Sequence, residues 1–442
     1  MKTPIYDFAR NYIDGSPVRF HMPGHKGIGA LGVEKYDLTE IVGADELYSP
    51  DGIILESEEN ATSLFKTAHT FYITEGSTLG IKAMLALATE GIKSPRILAA
   101  RASHKALIYA AALLDIDISW IYPDQGWHIA SQIISADSVR EALSSNIGIS
   151  AVYITSPDYL GNIADVEGIS AVCHEFSVPL LVDNAHGAYL AFLDHSRHPI
   201  SLGADMCCDS AHKTLPVLTG GAYLHISKNA ERYLGSARSA LSLFASTSPS
   251  YLILESLDLC NSYLSSGYSE KLAATAARTE LTKRDLVSEG YNVLPSESLK
   301  IVIKTTDYGY TGGDIAEILM KNGIFVEFFD SDVLVLMVAP ENSEEDHKRL
   351  AAALKAIPQK EKLSIPEYSI CKPKRVLSIR EALLSKRETV AVSDAQGRIA
   401  GAPAVSCPPA IALAVSGELI DEALIAELKK RKIDKIEVVK NA

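Results

Sequence analysis

The chain has 442 residues, 47% of them hydrophobic and 22% charged, with a net charge of −13. That is too long for one ordinary core, so about two or three domains are expected. The acidic balance argues against a nucleic-acid partner, whose phosphates call for clustered Lys and Arg.

The opening Met1-Lys2-Thr3-Pro4 has no apolar signal core, and the longest apolar stretches, such as residues 106–114, are too short for a membrane span. The six cysteines form no CxxC pair and show no zinc-like spacing with histidine. A reduced, cytoplasmic protein without a metal or a membrane contact is expected.

From about residue 70 to 225, β-rich runs alternate with helical spacing. Strands are predicted at 70–74, 96–100, 118–122, 149–155, 178–183 and 222–226, with helices at 79–88, 106–114, 138–144 and 166–176. Such alternation implies a mostly parallel sheet covered on both faces, with ligands at the carboxyl ends of its strands. Longer helices follow at 251–264 and 270–289, the second stopped by Gly290.

Strands at 299–304, 324–328 and 333–338, with helices at 313–322 and 343–356, then describe a smaller α+β domain. Its last helix opens on Ser343 with acids in the first turn. Residues 358–373, rich in Pro, Lys and Glu, read as a linker, and a C-terminal α+β segment ends in a helix at 420–432 and a strand at 435–439. The divisions expected are an arm at 1–30, a major domain at 31–290, a small domain at 291–357, the linker at 358–373 and a C-terminal domain at 374–442.

The strongest local motif is Asp209-Ser210-Ala211-His212-Lys213-Thr214-Leu215. A lysine amine on a short turn after a strand can form an imine with an aldehyde cofactor, and Ser210 and His212 beside it can donate to a phosphate. Thirty residues earlier, Val182-Asp183-Asn184-Ala185-His186-Gly187 ends an apolar strand. Asp183 there offers a carboxylate to a pyridine nitrogen, and Ala185 is small enough to lie against a ring face. The pair points to pyridoxal phosphate, with Lys213 as the anchor. An Asp in this place also serves as a helix cap or metal ligand.

Thr74-Glu75-Gly76-Ser77-Thr78 turns from a strand into a helix, where Gly76 permits the tight turn and Ser77 and Thr78 can hold a dianionic phosphate. An ordinary helix cap has the same appearance. Arg101-Ala102-Ser103-His104-Lys105 sets His104 after the second strand, where it could stack on the outer face of a cofactor ring.

Together these residues resemble one branch of the aspartate-aminotransferase fold, the prokaryotic ornithine/lysine/arginine decarboxylases in their short form. The signature Arg19-Phe20-His21-Met22-Pro23-Gly24-His25-Lys26-Gly27 carries the likeness, continued by Asp37-Leu38-Thr39-Glu40, Asp45-Glu46-Leu47, Ser49-Pro50-Asp51-Gly52 and Thr247-Ser248-Pro249-Ser250-Tyr251. The resemblance implies an α/β, seven-stranded cofactor domain and a homodimer that shares its active sites.

By the same likeness, Lys213 is the Schiff-base lysine, Asp183 the ring-nitrogen partner and His104 the ring-stacking histidine, and all three are expected to be catalytic. Gly76, Ser77, Thr78, Ala185, His186, Ser210 and His212 join them in holding the cofactor, and Ser248 reaches the phosphate from the neighbouring subunit. The implied reaction is decarboxylation of arginine, lysine or ornithine to a polyamine or its precursor. An aminotransferase, a Cα lyase or a non-catalytic regulatory homologue are the alternatives.

Several positions depart from the family pattern. Where a Glu and a Tyr are usual near the C-terminus, the chain has Ala402 and Cys407. Tyr48 replaces a histidine, Ala102 an asparagine and Asp158 a threonine. Loss of a carboxylate changes how a distal cation of the substrate is held, since a buried cation without a partner is costly. Asp158 either replaces that carboxylate or simply forms a turn after Pro157.

Overall fold

The computed structural model describes residues 1–123, 125–365, 368–405 and 410–440, with only the main chain at 125–127 and 132. In chain order its first nine strands are β1 (His69–Ile73), β2 (Arg96–Ala100), β3 (Asp117–Ile121), β4 (Gln125–His128), β5 (Ser131–Ile133), β6 (Ile149–Thr155), β7 (Leu180–Asp183), β8 (Met206–Asp209) and β9 (Ala222–Ile226). Seven of them form one sheet in the order β1-β9-β8-β7-β6-β2-β3, while β4 and β5 pair as a hairpin. The sheet is mostly parallel: β9 runs antiparallel to both β1 and β8, whereas β2, β6, β7 and β8 run together.

The expected strands at 96–100, 149–155 and 222–226 form with those bounds. The run at 178–183 pairs only from Leu180, because Pro179 has no N–H to give the ladder. β8 carries no β-branched residue and only four positions, so its Met-Cys-Cys-Asp is a weak strand signal that full burial between β7 and β9 overrides.

By its contacts the chain divides into two compact units. The first comprises Met1–Ala99, Val139–Ser156 and Asp165–Ser269; the second comprises Ala100–Ser138, Pro157–Ala164 and Glu270–Ala442. In the first unit, helices Pro4–Asp14 and Ile53–Phe65 have no counterpart among the predicted elements. The N-terminus of Pro4–Asp14 is satisfied from a distance: Ile5 and Tyr6 donate their N–H groups to Asp258 Oδ2 at 2.9 and 3.0 Å. A cap 253 residues from Ile5 leaves no local sequence signature.

In the second unit, β10 (Val293–Leu294), β11 (Lys300–Lys304), β12 (Phe328–Phe329) and β13 (Val333–Met337) form an antiparallel sheet in the order β10-β11-β13-β12. The strand expected at 324–328 shrinks to β12, because Ile324 instead closes the preceding helix by donating its N–H to the Leu319 carbonyl. Helix Glu344–Lys355 opens on Ser343 as expected, with Ser343 and Asp346 forming a capping box. Residues 358–363 carry no regular element, yet Lys360 and Leu363 donate to the carbonyls of Tyr308 and Thr306. Four further strands, β14 (Arg387–Ala391), β15 (Ala404–Val405), β16 (Ala412–Ala414) and β17 (Lys435–Val439), pair as β14 with β17 and β15 with β16. Helix Glu422–Lys430 starts two residues later than predicted because Asp421 is its cap.

Candidate active site

In the first unit three strand ends carry the chemistry. β7 ends on Asp183, β8 ends on Asp209 and feeds the helical turn Ala211–Thr214, and β1 leads through Gly76 into helix Ser77–Ala88. Gly76 has φ +75° with open space where a side chain would begin, and no side chain caps the helix it opens. Its N–H donates to the Gly220 carbonyl at 2.7 Å. Gly220 sits so close that an added Cβ would lie 2.8 Å from the Thr74 carbonyl oxygen. The result is a helix N-terminus whose first donors are turned to whatever binds there.

Ser210 donates to Ser77 Oγ at 2.7 Å, so hydroxyls from two strand ends converge at that terminus. Thr78 is exposed beside them and His212 is half-buried. Burial, then the charge of Lys213, push the His212 imidazole below its ordinary range, so it is neutral at pH 7. Lys213 is exposed, with Nζ 3.2 Å from His186 Nε2.

Asp183 is 2% exposed. Its oxygens accept from the Tyr153 hydroxyl and the Ala185 N–H, both at 3.2 Å. Both donors are neutral. A buried carboxylate whose donors among the described residues are both neutral favours a cation beside it, and a protonated pyridine nitrogen meets that need. The donor set of this unit therefore fits pyridoxal phosphate: an amine for the aldehyde, an anion for the ring nitrogen, and main-chain and hydroxyl donors for the phosphate.

Ser248 is exposed, and its loop is tied to the same region through Ser246, whose N–H donates to Glu75 Oε1 at 2.7 Å. Tyr48 is half-buried; burial and the charge of Glu75 push its hydroxyl up to about 12, so it stays protonated.

His104 belongs to the second unit. It is half-buried and caps helix Lys105–Leu114, its Nδ1 accepting the Ala106 N–H at 3.2 Å. Ala102 is buried nearby, and Arg101 pairs with Glu418 at 3.0 Å. Asp158 takes the turn role: its two oxygens accept from Asn162 N and Nδ2 at 2.9 and 2.8 Å, and burial outweighs those bonds to push it up to about 6. Ala402 is half-buried, and Cys407 lies outside the described residues.

Three contributors had no role assigned from the sequence. Tyr153 reaches Asp183 because β6 and β7 pair in parallel with Thr155 opposite Asp183; a tyrosine two residues from a strand end is the only local trace. Asn184 donates to Asp209 Oδ1 at 2.6 Å and joins the loop after β7 to the end of β8. Gly220 lies in the glycine pair of Thr219-Gly220-Gly221, and nothing in the sequence marks its carbonyl as the acceptor for Gly76.

The model of the family described as Orn/Lys/Arg decarboxylase, major domain, matches residues 3–306. The chain is 29% identical over 471 residues to an arginine decarboxylase of Bacillus subtilis (strain 168), covering 97% of this chain and 93% of that protein. It is 28% identical over 460 residues to the uncharacterized protein YaaO of the same organism, covering 97% and 94%. Among solved structures, the Francisella novicida lysine decarboxylase LdcF superposes with a TM-score of 0.83 at 16% identity, covering 99% of this chain and 81% of that one. With the signature of its N-terminal segment and the chemistry gathered at its strand ends, the chain belongs to the Orn/Lys/Arg decarboxylase family and is a pyridoxal-phosphate-dependent decarboxylase.

Proposed function

We propose that the chain decarboxylates a basic amino acid, arginine first, to give agmatine, with Lys213 as the covalent anchor of pyridoxal phosphate. Arginine leads because curated relatives matching nearly the full chain are arginine decarboxylases. In this reading Asp183 faces the ring nitrogen, and Gly76, Ser77, Thr78, Ser210 and His212 hold the phosphate. Ala185 and His186 lie against the cofactor, and His104 stacks on its ring.

The observation that carries the reading is the buried Asp183 carboxylate, whose two donors among the described residues are both neutral. When bound, the cofactor supplies an electron sink conjugated to the substrate's Cα, so that the bond to the carboxylate can break. Asp183 keeps the ring nitrogen protonated, and Tyr153 fixes the carboxylate that does so. His186 Nε2 orients the Lys213 amine at 3.2 Å. Neutral His212 donates a hydrogen bond without adding charge.

A homodimer completes the proposal. Val18, Phe20, Met22, Ile28 and Leu31 are 68–96% exposed, an apolar arm suited to covering by a second copy, and exposed Ser248 is available to a partner's phosphate.

One observation favours a second reading, a shifted substrate. The usual glutamate is Ala402, and Asp158, a candidate to replace it, accepts from Asn162 with both oxygens. Two experiments test the proposal. Borohydride reduction of the cofactor-loaded protein should leave the label on the Lys213 peptide; a label elsewhere rejects the anchor. Adding arginine, lysine or ornithine separately should perturb the cofactor's visible absorbance with arginine at the lowest concentration. Silence with all three, and a response to another amino acid, favours the second reading.

A further inference from the structure

A different polar cluster lies inside the first unit. Cys207 and Asp209 are on β8, His225 is on β9 opposite Cys207, and His198 precedes the 3-10 turn Pro199–Leu202. All four are fully buried. His198 Nε2 and His225 Nε2 lie 3.0 and 3.1 Å from the same oxygen, Asp209 Oδ2, and Cys207 Sγ lies 3.9 Å from His198 Nε2. One ligand atom from each residue falls within 4.8 Å of all the others.

Partners behind two of the four residues, His225 and Asp209, fix their orientation. His225 Nδ1 is 2.9 Å from Thr70 Oγ1, which is itself 2.9 Å from Thr67 Oγ1. Asn184 holds Asp209 Oδ1. Such outer bonds set which ring nitrogen faces inward, as they do around metal-bound imidazoles. Phe65 lies against both rings, at 5.6 Å from His198 and 4.6 Å from His225.

A divalent cation with one carboxylate, one thiolate and two neutral imidazoles sums to zero. In a tetrahedron with N and O ligands at about 2.0 Å and S at about 2.3 Å, neighbouring ligand atoms sit about 3.3–3.6 Å apart; the three separations of 3.0, 3.1 and 3.9 Å bracket that range, and the remaining pairs lie within 4.8 Å.

We propose that His198, Cys207, Asp209 and His225 form a closed structural site for zinc in the interior of the cofactor-binding unit. Four protein ligands and full burial leave no open coordination position, so the ion is structural and not catalytic. On binding, the Cys207 thiol gives its proton to solvent and its sulfur becomes the fourth ligand. The spacings along the chain, 9 residues from His198 to Cys207 and 16 from Asp209 to His225, match no short metal motif. The site is assembled by strand pairing.

The test uses the full chain without a histidine tag, made in zinc-supplemented medium and loaded with pyridoxal phosphate. Elemental analysis should find about one zinc per chain, falling at least about fivefold in Cys207→Ser and Asp209→Asn. Protein made with cobalt in place of zinc should show a thiolate-to-cobalt absorption that Cys207→Ser abolishes. Should Asp209→Asn fail to fold, Cys207→Ser decides, since it changes one atom. A parent protein without stoichiometric metal overturns the proposal, as does zinc that both variants retain.

Discussion

Arg101 and Glu418, within the second unit, give the sharpest stability prediction. Arg101 is 5% exposed and Glu418 3%. The guanidinium donates to Glu418 Oε2 and to the Leu413 carbonyl, both at 3.0 Å, and lies 5.1 Å from the Trp120 ring. The same Glu418 oxygen accepts the Val415 N–H at 2.7 Å.

Removing one partner of a buried pair costs about 3–5 kcal/mol, a large part of the roughly 5–15 kcal/mol that holds a typical protein folded. Glu418→Gln keeps an acceptor for Val415 but strands a guanidinium that cannot discharge, so its cost of about 3 kcal/mol should be the same from pH 5 to 8. Arg101→Met behaves differently. Burial, opposed by Arg101, already raises the Glu418 carboxyl; without the cation it rises further.

A carboxyl whose folded pKa lies above its unfolded value is most stabilising below the unfolded pKa. That contribution is lost as pH climbs toward the folded one. Arg101→Met should therefore be clearly less destabilised at pH 5 than at pH 8. The double variant removes both charges and should recover at least about 1 kcal/mol relative to the sum of the singles. Urea unfolding followed by tryptophan fluorescence, with Trp120 beside the pair, measures all three at both pH values. Single variants costing under about 1 kcal/mol, or an Arg101→Met deficit identical at pH 5 and pH 8, would refute the reasoning.

Three further outcomes are expected. Asp183→Asn should lower kcat/KM by about 10- to 100-fold, from the about 1.5–3 kcal/mol of a charge-assisted hydrogen bond, and should weaken cofactor retention in equilibrium dialysis; unchanged values reject its ring-nitrogen role. Gly220→Ala, whose Cβ would meet the Thr74 carbonyl at 2.8 Å, and Gly76→Ala, whose φ of +75° and ψ of 169° form a conformation essentially confined to glycine at a cost of about 1–3 kcal/mol, should both release cofactor more readily than the parent in equilibrium dialysis; unchanged retention in both rejects the phosphate-site reading of this turn. Burial, then Asp258 and Asp37, push Glu255 up to about 8, so the parent loses stability as pH rises from about 4.5 through 8. Glu255→Gln should be the more stable protein at pH 8.5, by on the order of 2–4 kcal/mol in urea titrations, with little difference at pH 4.5.

Much of this was legible in the residues because it is local. Strand-helix alternation gave the parallel sheet, Ser343 and its acids gave a helix start, and the lysine turn after a strand gave the anchor candidate. What was not legible depends on distant pairing. The first helix is capped by Asp258, β8 is a strand because its neighbours bury it, and Tyr153 faces Asp183 only through the register of β6 against β7. Asp158 shows the limit from the other side. Its sequence position allowed a substrate-facing carboxylate or a turn, and the two bonds from Asn162 give the turn.

The most direct measurement is release of labelled CO2 from carboxyl-labelled arginine by the pyridoxal-phosphate-loaded protein, with lysine and ornithine in parallel and the amine product identified. Labelled CO2 with agmatine in equal amount, lost in Lys213→Ala, is the predicted result. A keto acid in place of the amine, or no CO2 from any of the three while another amino acid is turned over, would contradict it.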